Sequence, residues 1–288
     1  MLMIAVFHLY LLSILTAASL FGATCSPAIA ADVSPWDDDL QSSARLIAAQ
    51  AHDVSGVRTF RAGIEIKLND GWHTYWRYPG DSGVPPAFDF SESQNVETVS
   101  VRYPAPSRLP DGAGGHAIGY KGGVVWPVYV VPKDTGRPAL LRLKLAYAVC
   151  EKLCVPAAAN LELVLTGAAS GTDASVSAAE ALLPKESRIG DPGPLAIRVA
   201  KREAGSGKSR VVVDVAAPAG APVTLFAEGP TPQWALPLPE PVSGALAGLQ
   251  RFTFELDGLP PGAKPHETTL RLTAVSGDRA VEAAFRLD

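Results

Sequence analysis

The segment 141–166, LRLKLAYAVCEKLCVPAAANLELVLT, predicts two β-strands joined by a very short turn. Up to residue 150 apolar residues alternate with charged or small ones, which is typical of a strand with one buried face. The apolar face consists of Leu141, Leu143, Leu145, Tyr147 and Val149. A second alternating run follows residue 154, so the segment predicts a hairpin with Cys150 and Cys154 at its closed end.

Cys150 and Cys154 are placed so that they could form a disulfide. Residues facing each other across an antiparallel pair have Cα atoms about 5 Å apart, in or near the range that a disulfide needs. Closing so short a loop stabilises the fold by only about 2 kcal/mol, which is little for a chain able to bury large cores. We interpret the pair as redox-active, with an inert structural disulfide and a metal-binding dithiol as alternatives.

The composition indicates an all-β protein. The chain has 288 residues, 47% of them hydrophobic, and its 26 glycines and 25 prolines often separate short alternating runs. The net charge of −4 provides no basic patch, which weighs against nucleic-acid binding. A chain of this length is expected to hold two domains.

We predict a signal peptide over residues 1–31, a β-sandwich over 32–168, a helix and linker over 169–194, and a second β-sandwich over 195–288. The helix is expected within 174–183, where apolar residues recur every three or four positions. The second sandwich is predicted from six short strands separated by turn residues. It contains no cysteine, and no chemistry is predicted for it.

The N-terminus has the features of an export signal. Residues 2–23 are almost wholly apolar, and Ala28 and Ala30 form a small-x-small cleavage site, which predicts cleavage after Ala30 or Ala31. No Lys or Arg precedes the apolar run, so an uncleaved membrane anchor is the alternative.

Cys25 precedes the predicted cleavage site, so the exported protein is expected to carry Cys150 and Cys154 as its only cysteines. An oxidising compartment favours a disulfide between them. No later apolar run approaches 18 residues, so the mature form is expected to be soluble.

An aromatic run follows the turn signal Asn69-Asp70-Gly71. Within it, Trp72 and Trp76 are expected to fill a sandwich core. His73 is expected to be a hydrogen-bonded surface group.

Four motifs resemble one known family. They are GWHTYWRYPGDSGVPP (71–86), GGHAIGY (114–120), VVWPVYV (124–130) and YAVCEKLCVPA (147–157). Together they resemble the N-terminal periplasmic domain of the thiol:disulfide interchange protein DsbD, and more closely the extracytoplasmic part of its ScsB-type relatives. The resemblance covers about residues 35–168. It implies an immunoglobulin-like sandwich whose cysteine pair exchanges disulfides.

The resemblance also implies roles for particular residues. Cys154 would form the mixed disulfides and Cys150 would resolve them. A cap loop would shield the pair and would lie within 111–120, with His116, Ile118 and Tyr120 as its candidate residues.

The resemblance further implies partners and a location in the periplasm. Electrons would come from a thioredoxin-like or membrane-embedded reductase domain and pass to exported disulfide proteins. The 288 residues include neither a membrane-spanning hub nor a thioredoxin-like domain, so the donor is expected on a separate chain. Thiol exchange itself needs no cofactor.

Two other functions remain open. Cys150 and Cys154, with His116 or His73 nearby, offer soft ligands for Cu(I), so the chain could be a copper-binding or copper-tolerance module. Alternatively, two sandwiches with an inert disulfide could act as a structural adaptor.

Overall fold

The computed structural model describes residues 31–54, 56–80, 83–111, 114–204 and 207–288. The predicted signal peptide, including Cys25, lies outside the described residues, and only its last residue, Ala31, is described. No helix within these ranges has the length and apolar character needed to span a membrane.

Within the described residues, eleven strands precede the α-helix. They are β1 (Asp37–Asp38), β2 (Ser42–Val54), β3 (Val57–Leu68), β4 (His73–Gly80), β5 (Ala87–Asp89), β6 (Thr98–Val101), β7 (Ser107–Pro110), β8 (His116–Lys121), β9 (Gly123–Val131), β10 (Ala139–Cys150) and β11 (Cys154–Leu165). They form two antiparallel sheets, one in the order β1-β2-β3-β9-β6 and one in the order β11-β10-β4-β8-β7, with β5 also paired to β10.

The remainder of the chain forms a short helix and two further sheets. Its elements are α1 (Asp173–Ala181), β12 (Lys185–Ser187), β13 (Ala196–Glu203), β14 (Arg210–Ala216), β15 (Thr224–Glu228), β16 (Glu240–Val242), β17 (Leu249–Glu255), a 3-10 helix (Pro265–Glu267), β18 (Thr269–Ser276) and β19 (Arg279–Arg286). The sheet orders are β12-β19-β18-β15 and β13-β14-β17-β16. The all-β class and the short helix are therefore confirmed. The immunoglobulin-like topology and the domain limits stay predictions.

The first two sheets share a core into which the predicted apolar face of β10 points. Leu141, Leu143 and Leu145 are at most 2% exposed, and Trp76 and Trp126 are fully buried. Burial of these large side chains supplies the main stabilisation of the fold. The last two sheets enclose a separate core built around Val213, Phe252 and Leu272, among others.

A charged cluster joins the two halves of the chain. Arg77 on β4 donates hydrogen bonds to Glu228 on β15 at 2.7 and 2.8 Å, and it also pairs with Glu282 on β19. The guanidinium carbon lies 4.2 Å from the centre of the Trp76 ring, which in turn contacts Phe226. Burial alone would lower the pKa of Arg77, but the hydrogen bonds and charges of Glu228 and Glu282 have the larger effect and raise it. The guanidinium therefore stays charged.

Candidate functional site

The hairpin of β10 and β11 positions the two cysteines. Its register runs without a break from Ala139 opposite Leu165 to Cys150 opposite Cys154. The Cα atoms of the two cysteines are 4.2 Å apart and their sulfurs are bonded. Residues 151–153 form the exposed turn between them, with Leu153 78% exposed.

The two sulfurs differ in accessibility because their neighbours differ. Cys150 is 6% exposed and packs in a small cluster with Tyr75, Ala117 and Ala148. Cys154 begins the outer strand of the sheet and is exposed. An exchange partner must reach a sulfur atom to attack it, so Cys154 is the sulfur open to a partner.

Tyr75 lies against this disulfide. Its side chain is 1% exposed, and its hydroxyl is 2.9 Å from Cys154 Sγ. A disulfide sulfur carries no hydrogen, so the hydroxyl donates this hydrogen bond. Burial, and secondarily the charge of Asp111, raise the pKa of Tyr75, so its donor proton is retained at neutral pH.

Two glycines make this arrangement possible. A Cβ at Gly119 would lie 1.9 Å from the carbonyl oxygen of Thr74, so glycine is needed where β8 pairs with β4. Gly83 has φ +118°, and a Cβ there would lie 2.2 Å from the Tyr75 ring. Both close approaches fix the position of Tyr75.

His73 was predicted to be a hydrogen-bonded surface group, but it is buried. It is 6% exposed, faces Cys150 across the β4–β10 pair, and its Nε2 atom has no hydrogen-bond partner among the described residues. Burial, and secondarily the charge of Lys121, lower the pKa of His73. The prediction was wrong because it treated His73 as a single exposed strand residue, before the neighbouring strands were known.

The cap-loop candidates occupy a strand instead of a loop. The cap loop was expected to lie within 111–120, but β8 begins at His116. Ile118 and Tyr120 belong to the core between the sheets, and Tyr120 donates a hydrogen bond to the carbonyl of Pro104 at 2.9 Å. His116 Nδ1 lies 3.2 Å from a guanidinium nitrogen of Arg108.

Other residues of the β7–β8 hairpin lie beside the disulfide. Ala117 belongs to the Cys150 cluster, and Leu109 packs against that cluster. The turn of this hairpin is stabilised by Asp111, whose carboxylate accepts a hydrogen bond from the Gly115 amide at 2.9 Å. Ala117 and Leu109 therefore lie closer to the disulfide than the predicted Ile118 and Tyr120, and the cap role itself stays a prediction. Residues 112 and 113 of the predicted loop lie outside the described residues.

The described ranges contain no group of three or more His, Cys, Asp and Glu side chains arranged to hold a metal ion. The Cu(I) alternative stays a prediction that depends on Cys150 and Cys154 themselves.

The sequence profile of the N-terminal domain of thiol:disulfide interchange protein DsbD matches residues 43–166. This segment contains both cysteines, Tyr75 and His73. Residues 43–166 are therefore similar to the N-terminal domain of DsbD. The resemblance inferred from the four motifs is therefore confirmed.

A solved structure extends the likeness of fold beyond the DsbD segment. The N-terminal periplasmic domain of ScsB from Proteus mirabilis matches with a TM-score of 0.68 and 19% sequence identity. The match covers 88% of this chain and 98% of that one, so the shared fold reaches past the DsbD segment into the second half. No curated protein sequence matches the chain.

Proposed function

We propose that the protein exchanges disulfides with partner proteins through Cys150 and Cys154. The observation that carries the proposal is the disulfide between an exposed cysteine, Cys154, and a buried one, Cys150. The match of residues 43–166 to the N-terminal domain of thiol:disulfide interchange protein DsbD supports it.

The exposed position of Cys154 favours it as the residue that forms mixed disulfides. A thiolate of the electron donor attacks Cys154 Sγ, the bond to Cys150 breaks, and its electron pair goes to Cys150 Sγ. A second donor thiolate then attacks the mixed disulfide and leaves Cys154 as a thiolate. The donor is oxidised by two electrons and the Cys150–Cys154 pair is reduced.

The reduced pair passes the electrons on by the same chemistry. The Cys154 thiolate attacks the disulfide of an exported protein, forms a mixed disulfide and releases one substrate thiolate. Cys150 then attacks Cys154 Sγ and releases the second substrate thiolate, which restores the internal disulfide. We place this reaction in the periplasm, with a thioredoxin-like or membrane-embedded reductase domain as the electron donor.

Tyr75 assists whenever Cys154 carries negative charge. Its protonated hydroxyl already lies 2.9 Å from this sulfur, and a hydrogen bond to a thiolate stabilises the charged form. The reaction steps themselves involve the two sulfurs and no cofactor.

The small stabilisation expected from the disulfide argues against an inert clip. The loop that it closes is short and lies at the end of a hairpin already paired over its whole length. The loop-closure model assigns such a bond about 2 kcal/mol. The exposure of Cys154 adds nothing to that stabilisation, whereas disulfide exchange requires it.

Trapping of mixed disulfides tests the proposal. A Cys150→Ser variant retains the attacking thiol but lacks the resolving one, so it should accumulate mixed disulfides with partners or with a model disulfide protein. The matched Cys154→Ser variant leaves the buried thiol and should trap far less. Equal trapping by the two variants would contradict the proposed roles, and no trapping by either would contradict exchange.

A further inference from the structure

His73 is a buried titratable group beside the disulfide, and the proposed exchange gives it no role. His73 is 6% exposed, and its Nε2 atom is buried with no hydrogen-bond partner in the described part of the chain. A buried polar atom without a partner is unfavourable, so its retention calls for an explanation.

His73 lies in a row of residues across the sheet. Cys154 is opposite Cys150, Cys150 is opposite His73, and His73 is opposite Lys121. Residues directly opposite each other in antiparallel strands project to the same face, with Cβ atoms about 5 Å apart. The imidazole and the Cys150 sulfur therefore share one face of the sheet as immediate neighbours.

The titratable groups around His73 come from three strands. Lys121 is on β8 and Cys150 is on β10. Tyr75 is on β4 with His73, and the rings of these two residues pack edge-on with their centres 5.4 Å apart. Burial, and secondarily Lys121, lower the pKa of His73, so the imidazole is neutral at pH 7 and has a lone pair to accept a proton.

The resolving step requires such an acceptor. A buried thiol loses its proton with difficulty because burial disfavours the thiolate, and the 6% exposure of Cys150 limits access of water. Only the thiolate is nucleophilic, so the rate of resolution depends on where this proton goes.

Building on the proposed exchange function, we propose that His73 accepts the proton of the Cys150 thiol as Cys150 resolves the mixed disulfide. The proton moves from Cys150 Sγ to His73 Nε2, in the tautomer that carries its hydrogen on Nδ1. The Cys150 thiolate attacks Cys154 Sγ, the internal disulfide forms, and the bond between Cys154 and the substrate sulfur breaks. The electron pair leaves on the substrate thiolate, and the imidazolium gives its proton to that thiolate or to water.

Single-turnover kinetics with 5,5′-dithiobis(2-nitrobenzoate) separate this step from the preceding one. The reduced protein should release one thionitrobenzoate as Cys154 attacks and a second as Cys150 resolves. In His73→Phe the second release should slow about a hundredfold or more at pH 7, the size typical of general-base effects, while the first keeps its rate. The deficit should shrink toward pH 9, where the thiol ionises without assistance.

Two further variants keep the test decisive. His73→Gln preserves polarity but is a poor base, so it should show the same slow second release even if His73→Phe folds poorly. His52→Phe changes an exposed histidine on β2 and should leave both releases unchanged. In the unmodified protein the second rate should fall as the pH drops through the lowered pKa of His73.

Three results would overturn the inference. One is an unchanged second release in folded His73→Phe and His73→Gln, and another is a deficit that stays constant from pH 7 to 9. The third is the absence of any release from the unmodified reduced protein, which would also contradict the exchange function. If both thionitrobenzoate releases kept their rates in the His73 variants, His73 would have no role in resolution, but the exchange function would stand.

Discussion

The hydroxyl of Tyr75 donates a hydrogen bond to Cys154 Sγ across 2.9 Å, although the two residues are 79 positions apart. The contact joins a buried side chain on β4 to the exposed cysteine at the start of β11. This contact connects the aromatic run that follows Gly71 to the disulfide.

Removing this hydroxyl should make Cys154 less acidic. A hydrogen bond to a charged group contributes about 1.5–3 kcal/mol, so Tyr75→Phe should raise the pKa of the Cys154 thiol by about one unit or more. The rate of alkylation by iodoacetamide as a function of pH, in the Cys150→Ser background, measures this pKa. Tyr147→Phe is the control, because its hydroxyl is 2.7 Å from Ser42 Oγ and not from a sulfur. Equal thiol pKa values in the two variants would contradict the role of Tyr75.

Gly119→Ala should destabilise the sheet that carries the site. The added Cβ would lie 1.9 Å from the Thr74 carbonyl oxygen, which forces β4 and β8 apart. We expect a loss of about 1–3 kcal/mol in the free energy of unfolding, measured by urea denaturation. Gly207→Ala is the matched control, because a Cβ there meets nothing within 4 Å. Equal stability of the two variants would be inconsistent with this close approach.

Arg77→Met should destabilise the junction between the two halves. Glu228, with 10% of its side chain exposed, would be left without its bidentate partner. Breaking a buried ion pair costs about 3–5 kcal/mol, which urea denaturation would detect. The control is Arg142→Met, since its pair with Glu162 is 36% and 56% exposed and is expected to contribute about 1 kcal/mol or less. Similar losses in both variants would contradict a buried cluster.

His73 should make stability depend on pH. Its pKa is lowered in the folded state, so the unfolded state binds a proton first as the pH falls. The stabilisation is therefore complete above the unfolded histidine pKa of about 6.5 and is lost as the pH falls through the lower, folded value. Unfolding free energies from pH 8 to pH 5 should decrease more in the unmodified protein than in His73→Phe. Parallel pH profiles would show that His73 is not the group responsible.

The hairpin of the cysteines was predictable because its information is local. Alternation along β10 and β11 predicts the buried face, and the short spacing of Cys150 and Cys154 predicts their bond. The contact of Tyr75 with Cys154 was not predictable in this way, because it depends on how β4 aligns with β10. That alignment is set by pairing between distant segments, such as Thr74 opposite Val149.

The stretch from 114 to 120 shows why glycines were misinterpreted. The stretch, with Gly114, Gly115 and Gly119, was expected to be part of a cap loop. Gly119 instead permits two strands to approach closely, and Ile118 and Tyr120 on either side of it fill the core. Composition alone does not distinguish a glycine that provides flexibility from one that provides space.

The central claim is that Cys150 and Cys154 form an exchangeable couple, and its reduction potential tests that claim most directly. Purified protein would be equilibrated in glutathione buffers, its free thiols trapped by alkylation, and the two redox forms quantified by mass spectrometry. We predict a potential between about −180 and −270 mV, the range of proteins that exchange disulfides. A couple that stays oxidised below about −300 mV would behave as a structural disulfide and would contradict the proposed function.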